Sequence, residues 1–250
     1  GLGESAFPDP AGSPAEADAV SYLSDVLLSE KQVSVIALGP LTNLARLLER
    51  SPEAFVRIQE LVSMGGTYKS HGNCSPVAEY NYWCDPDAAA KVFEAYASLP
   101  ELSGKNIHMI VLDVTRKIVL TPNLIEYMKR LHPFLGGKIE AITRFYLDFH
   151  WEQEGIIGCV INDPLAVAYF ADHSICSGFD AYTAVETGGI SYGQTLVDAY
   201  EFWKKPHNSH ILTETNPYRF WLLFCCQVLG ADETAARHIL SRILTEEVTA

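Results

Sequence analysis

Between residues 64 and 87 the chain reads MGGTYKSHGNCSPVAEYNYWCDPD, a polar stretch that gathers Asn73, Glu79 and Asn81. It follows Leu61-Val62-Ser63, a short, mainly apolar run of the kind that ends a buried strand. Gly65 and Gly66 then break the run into a loop. Asp85-Pro86 predicts a helix start, with the Asp side chain as N-cap and Pro in the first helical position. In an open α/β sheet the loop beyond the carboxyl end of a strand is where ligands bind. Two amides and a carboxylate donate and accept hydrogen bonds without carrying positive charge. Such a set suits sugar hydroxyls better than phosphate. The plain alternative is a polar loop that bonds its own backbone, and composition by itself favours that alternative.

Four further candidates carry residue types that do chemistry, each with its plain alternative. Gly39-Pro40-Leu41-Thr42-Asn43 follows an apolar run and reads as punctuation, with Thr42 or Asn43 capping a helix. Asp163, ahead of Pro164, reads as an acid at a helix start. Met64 reads as core, and His150, between Phe149 and Trp151, as an ordinary surface or core histidine.

The order of these segments adds what their types do not. Gly72-Asn73, Ala78-Glu79-Tyr80-Asn81 and the Asp85-Pro86 helix start, in that sequence, resemble the inosine–uridine-preferring nucleoside hydrolases. Ala37-Leu38-Gly39-Pro40-Leu41-Thr42-Asn43-Leu44-Ala45 is similar to that family's GPLTN segment, and Val111-Leu112-Asp113-Val114-Thr115 to its LDVT segment. Asn162-Asp163-Pro164-Leu165-Ala166-Val167-Ala168 is similar to its HDPLAVA segment, with Asn162 where many members carry His. Gly1-Leu2-Gly3 is similar to the tail of an HGxxGLG loop. The resemblance runs in order over essentially the whole chain.

The resemblance implies a hydrolase that cleaves the N-glycosidic bond of ribonucleosides to ribose and free base. It implies that Asn73, Glu79 and Asn81 contact ribose hydroxyls, that Met64 packs under the sugar, and that Ca2+ is held by Asp163 and the backbone carbonyl of Leu38. Calcium accepts backbone carbonyls readily, so the side chain at position 38 is unconstrained. The family's remaining ligands, and the base that activates water, come from a DTDxGxDD motif, and no such motif occurs here. The sequence is therefore read as one nucleoside hydrolase-like domain, 1–250, N-terminally incomplete, with its first strands missing and this stretch alone inactive. The missing histidine matters as well. Asn162 cannot titrate, so it cannot protonate a departing base. His150 is the catalytic candidate to replace it, and Tyr146, one helical turn earlier, is the second.

Bulk properties narrow the classes. The net charge is −13, from 18 basic and 31 acidic residues, which argues against nucleic acid, whose binders need a basic footprint, and disfavours phosphorylated substrates. No apolar run approaches the ~18–20 residues that span a membrane, so no membrane partner is expected. The six cysteines contain no C-x-x-C pair, zinc-finger spacing is absent, and a reducing, cytoplasmic setting is the default. Family resemblance implies a homo-oligomer. A rival reading is a non-catalytic nucleoside-binding protein; a dinucleotide-binding enzyme ranks behind it, because Gly65-Gly66 is not the G-x-G-x-x-G phosphate turn.

The elements that must position these residues alternate. Strands are expected at 33–38, 61–64 and 107–112, and helices at 15–29, 41–50, 52–59 and 85–97. Further helices are expected at 124–131, 137–151, 163–170, 217–229 and 231–244, with short strands at 181–186 and 195–199. Strand–helix alternation argues for a mostly parallel α/β sheet with helices on both faces, Rossmann-like in outline.

Overall fold

The computed structural model describes residues 3–8, 12, 13, 16 and 18–244; Gly1 and Leu2 of the Gly1-Leu2-Gly3 turn lie outside the described residues. The chain opens with α1 (Ala19–Ser29), β1 (Val33–Ala37), α2 (Thr42–Arg50), α3 (Pro52–Phe55) and β2 (Ile58–Met64). There follow α4 (Tyr80–Cys84), α5 (Pro86–Ser98), β3 (Ile107–Ile110) and a helical turn, α6 (Leu112–Thr115). The next segment carries β4 (Val119–Leu120), α7 (Pro122–Leu131), α8 (Pro133–Glu154) and β5 (Cys159–Val160). After α9 (Asp163–Ala171) come β6 (Cys176–Val185), β7 (Thr195–Asp198), β8 (Ser209–Thr215), α10 (Pro217–Leu229) and α11 (Glu233–Ile243).

Two compact units result. Among the described residues, one comprises those within 14–115 and 162–215, the other those within 1–13, 116–161 and 216–250. The first holds a six-stranded sheet in the order β1-β2-β3-β8-β6-β7. β1, β2, β3 and β8 run parallel, β6 is antiparallel to β8, and β7 is antiparallel to β6. The expected mostly parallel α/β sheet is thus present. Leu61, Ile107, Met109 and Ile211 join Leu27, Leu44, Leu47, Phe55, Val92 and Phe93 of the helices in one buried cluster. α9 packs on β1 and β2, where its Tyr169 meets His108 of β3. β1 is an edge strand whose five residues are all only half-buried. Leu38, just beyond it, is 39% exposed.

Local chemistry explains several boundaries. Asp18 caps α1 by accepting from Val20 and Ser21 N–H groups, which trims the expected helix to Ala19. Asp85 caps α5 by accepting from Ala88 N–H at 3.0 Å, with Pro86 in the first turn as expected. Its other carboxylate oxygen accepts from the Thr42 hydroxyl, so the Gly-Pro-Leu-Thr segment is tied to the Asp-Pro helix start.

Several expectations are corrected. The helix expected over 52–59 is a single turn, because the chain turns into β2 at Ile58, earlier than the expected 61. β3 ends at Ile110, and residues 112–115 coil into α6. β6 begins at Cys176, well before the expected 181. β8, SHILTET, was not expected at all, yet it pairs with both β3 and β6 in the middle of the sheet.

In the other unit, β4 and β5 pair antiparallel, α7 packs on α8, and α10 packs on α11. α8 runs Pro133–Glu154, longer than the expected 137–151, and stops where Gly155 takes a left-handed conformation with φ 67°, as helices commonly do.

A candidate sugar-binding site at the carboxyl end of the second strand

The site is built outward from the last residue of β2. Met64 is buried, and Gly65 and Gly66 leave the strand beneath the buried ring of Tyr82. A Cβ on Gly65 would lie 2.3 Å from that ring, which no side chain tolerates. Gly66 sits at φ 75°, where glycine alone carries no steric cost.

The loop that follows is clasped by Asp113, in the segment after β3. Its Oδ2 accepts from Tyr68 N–H at 2.8 Å, and its Oδ1 from Lys69 and Ser70 N–H at 2.8 and 3.0 Å. Thr195 accepts from Thr67 N–H at 2.9 Å. Sequence reasoning used Asp113 only as part of a motif and missed this clasp. The available signal was an acid directly after a buried strand.

Glu79 is 2% exposed and caps α4, a short helix that the sequence reading did not include. Its Oε1 accepts from Asn81 N–H at 2.8 Å, and its Oε2 accepts from Gly66 N–H at 2.9 Å and Tyr82 N–H at 3.3 Å. A carboxylate offers about four lone-pair sites, so capping leaves it capacity to accept from a hydroxyl. Burial pushes its pKa above the usual carboxylate range, against the pull of those backbone N–H groups, and the like charge of Asp163 adds to the rise. Asn81 donates from Nδ2 to the Met64 carbonyl at 3.0 Å, and the same nitrogen lies 3.3 Å from Met64 Sδ. Asn73 accepts from Tyr80 N–H at 2.9 Å.

Leu38 and Asp163 belong to the same neighbourhood. Ala37 of β1 is in register with Ser63 of β2, so the next residues, Leu38 and Met64, end adjacent strands together. Asp163 opens α9, the helix packed on those strands. It is an exposed residue, yet partial desolvation raises its carboxyl's pKa. Asn162 is the N-cap position of α9 but makes no side-chain cap bond. Met64, Asn73, Glu79, Asn81, Leu38 and Asp163 therefore gather around the carboxyl ends of β1 and β2.

His150 lies in the other unit, on α8. It is 4% exposed, and its Nδ1 donates to the Tyr146 carbonyl at 2.9 Å. The Tyr146 ring stands edge-on to it at 4.3 Å between centroids. The surface-histidine alternative is thereby excluded.

Donor chemistry decides which metal each place fits. Leu38 offers a carbonyl and Asp163 a carboxylate, both hard oxygen ligands of the kind calcium takes. The charge of Asp163 adds to the rise at buried Glu79, a repulsion that a cation would relieve. A second cluster, Glu60, His108 and His173, stands at the other end of β2 and β3 and is rich in nitrogen.

Comparison with known proteins gives a consistent result. Residues 1–222 match the family model described as inosine-uridine preferring nucleoside hydrolase. The pyrimidine-specific ribonucleoside hydrolase RihA of Shewanella sp. (strain ANA-3) is 31% identical over 215 residues, which are 85% of this chain and 65% of that protein. RihA of Klebsiella pneumoniae is 30% identical over 223 residues, 88% of this chain and 69% of that one. Among solved structures, the purine-preferring ribonucleoside hydrolase from Gardnerella vaginalis aligns with a TM-score of 0.81 at 26% identity, covering 95% of this chain and 72% of its own. The chain spans about two thirds of the length of the curated relatives it matches.

Proposed function

The chain belongs to the inosine-uridine preferring nucleoside hydrolase family, and from that premise we propose that the protein hydrolyses the N-glycosidic bond of ribonucleosides to ribose and free base. One observation carries the reading. Glu79, Asn81 and Met64 are bonded into a single cradle at the end of β2, beside the Leu38 carbonyl and within electrostatic reach of Asp163.

Each residue has a task in this reading. Asn73, Asn81 and Glu79 hold ribose hydroxyls, with Met64 against the sugar face. The Glu79 carboxylate, fixed by backbone N–H groups, faces the positive charge that builds on the sugar ring in an oxocarbenium-like transition state. Asp163 and the Leu38 carbonyl are the ligands this chain offers to Ca2+. Bound calcium would fix the vicinal hydroxyls and lower the pKa of a water. The water's base and the other carboxylates belong, on the family pattern, to an aspartate-rich strand absent from these 250 residues. His150 is proposed to protonate the leaving base, since Asn162 cannot; its Nδ1 is committed to Tyr146, so Nε2 is the nitrogen that would act. A cytoplasmic setting and self-association belong to the same proposal. Sedimentation velocity tests the self-association. No helix among the described residues is long and apolar enough to cross a membrane.

The test pairs two preparations, the 250-residue chain alone and the same chain behind an aspartate-rich strand of the family type. Each is incubated with inosine and uridine in excess calcium. The reading expects phosphate-independent release of free base from the second preparation and none from the first. Saturable nucleoside binding with no release from either preparation would favour a binding protein and reject the hydrolase.

A further inference from the structure

We propose that Glu60, His108 and His173 form a binding site for a zinc-class divalent transition-metal ion, at the end of the sheet opposite the sugar cradle. The proposal is independent of the hydrolase reading. Its basis is a row of side chains that strand register brings to one face. Val62 of β2 pairs with His108 of β3, His108 with His210 of β8, and His210 with Asp180 of β6. Residues in register on adjacent strands point to the same face, and Glu60, two residues before Val62, shares it. His173 comes over this face from the turn that follows α9.

The ligand atoms of Glu60, His108 and His173 lie within 4.8 Å of one another. A tetrahedral zinc with ligands at about 2.0–2.1 Å places donor atoms roughly 3.4 Å apart, a closure that side-chain rotation supplies. His173 Nε2 already meets Glu60 Oε1 at 2.7 Å, and an ion would take the place of that contact. The rings of His108 and His173 are 5.8 Å apart, and that of His210 lies 5.5 Å from His108 at the border of the group.

The surroundings are those of a ligating cluster. His108 Nδ1 bonds the Tyr169 hydroxyl at 2.7 Å, and His210 Nδ1 bonds Asp180 at 2.6 Å. Such partners hold each ring in place, and in the tautomer that donates from Nδ1 they leave Nε2 for a metal. Lys105, the nearby cation, is turned aside to the Ile58 and Val56 carbonyls at 2.9 and 3.4 Å. The cluster opens into a depression of about 450 Å³. Imidazole nitrogen suits zinc, copper or nickel, whereas calcium takes oxygen.

The test titrates Zn2+, and Co2+ as its spectroscopic stand-in, into the 250-residue chain carrying Cys74→Ser and Cys84→Ser, which removes the two exposed thiols. The expected result is one equivalent bound, with no thiolate-to-cobalt charge-transfer band and no competition from millimolar Ca2+. His173→Gln, at a half-exposed side chain, should leave the circular dichroism unchanged and weaken binding about 10- to 100-fold. Glu60→Gln should do likewise. Unchanged affinity in both variants, sulfur ligation, or displacement by calcium would overturn the proposal.

Discussion

The Glu79 carboxylate accepts a 2.9 Å hydrogen bond from the Gly66 N–H, so the residue that caps α4 also pins the chain where it leaves β2. The proposed sugar cradle and the local fold are therefore one set of bonds. Substitution at Glu79 must register in both stability and rate, and the two readouts have to be separated.

Glu79→Gln keeps the shape but removes a charged acceptor. We expect a loss of about 1–2 kcal/mol in unfolding free energy, as for other N-cap changes. In the active preparation, kcat/KM should fall a further 10- to 100-fold, roughly the value of a charge-assisted hydrogen bond. Asn81→Ala should lower kcat/KM by a similar factor. Urea denaturation with steady-state kinetics checks both; wild-type kinetics in the two variants would remove them from the site.

Asp113 restrains the loop after β2 through three backbone N–H groups. Asp113→Ala should destabilise the protein by about 2 kcal/mol. It should also raise amide hydrogen exchange selectively at Tyr68, Lys69 and Ser70. Unchanged exchange there would show that the loop holds its shape without the clasp.

Burial and the like charge of Asp163 raise the Glu79 pKa in the folded state. The folded protein therefore holds that proton more tightly than the unfolded chain, and stability from this group falls as pH rises from about 4.3, the ordinary Glu value, through the folded value. Desolvation raises the Asp163 pKa as well, so Asp163→Asn removes that group's own fall together with its like charge on Glu79 and should flatten the curve, with little effect below pH 4. Excess Ca2+ should flatten it in the wild-type chain and less so in Asp163→Asn. Thermal unfolding across pH 3.5–8 measures this; a slope that Asp163→Asn leaves unaltered would separate the two carboxyls.

His150→Ala separates proton donation from packing. The variant loses a buried hydrogen bond worth about 1 kcal/mol, whatever its role. If His150 protonates the leaving base, inosine and uridine should slow at least ten-fold more than p-nitrophenyl riboside, whose leaving group needs no proton. Equal slowing would assign His150 to structure alone.

How much of this was legible beforehand follows from physical differences between residues. The cradle announced itself because amides and an acid lie between a strand end and an Asp-Pro helix start. Their order also matched a known family. β8 was hidden because Ser209, His210, Thr213 and Glu214 give SHILTET no apolar run; the strand is held by its neighbours on both sides. α4 was hidden because Glu79 looked like a ligand-binding residue, although it caps the helix through local bonds from Asn81 and Tyr82 N–H. The Glu60–His108–His173 group was invisible for a different reason. Its members lie far apart in the chain, and strand register alone brings two of them together.

The central claim is that Asp163 and the Leu38 carbonyl help hold the calcium on which cleavage at the β2 cradle depends. The most direct measurement is base release from inosine and uridine by the chain behind an aspartate-rich strand, in calcium and in chelator, for wild type and Asp163→Ala. The account predicts calcium-dependent release in the wild type and a loss of at least about 100-fold in Asp163→Ala, since removing a charged metal ligand forfeits several kcal/mol of transition-state stabilisation. Release that persists undiminished in chelator, or in Asp163→Ala, would contradict it.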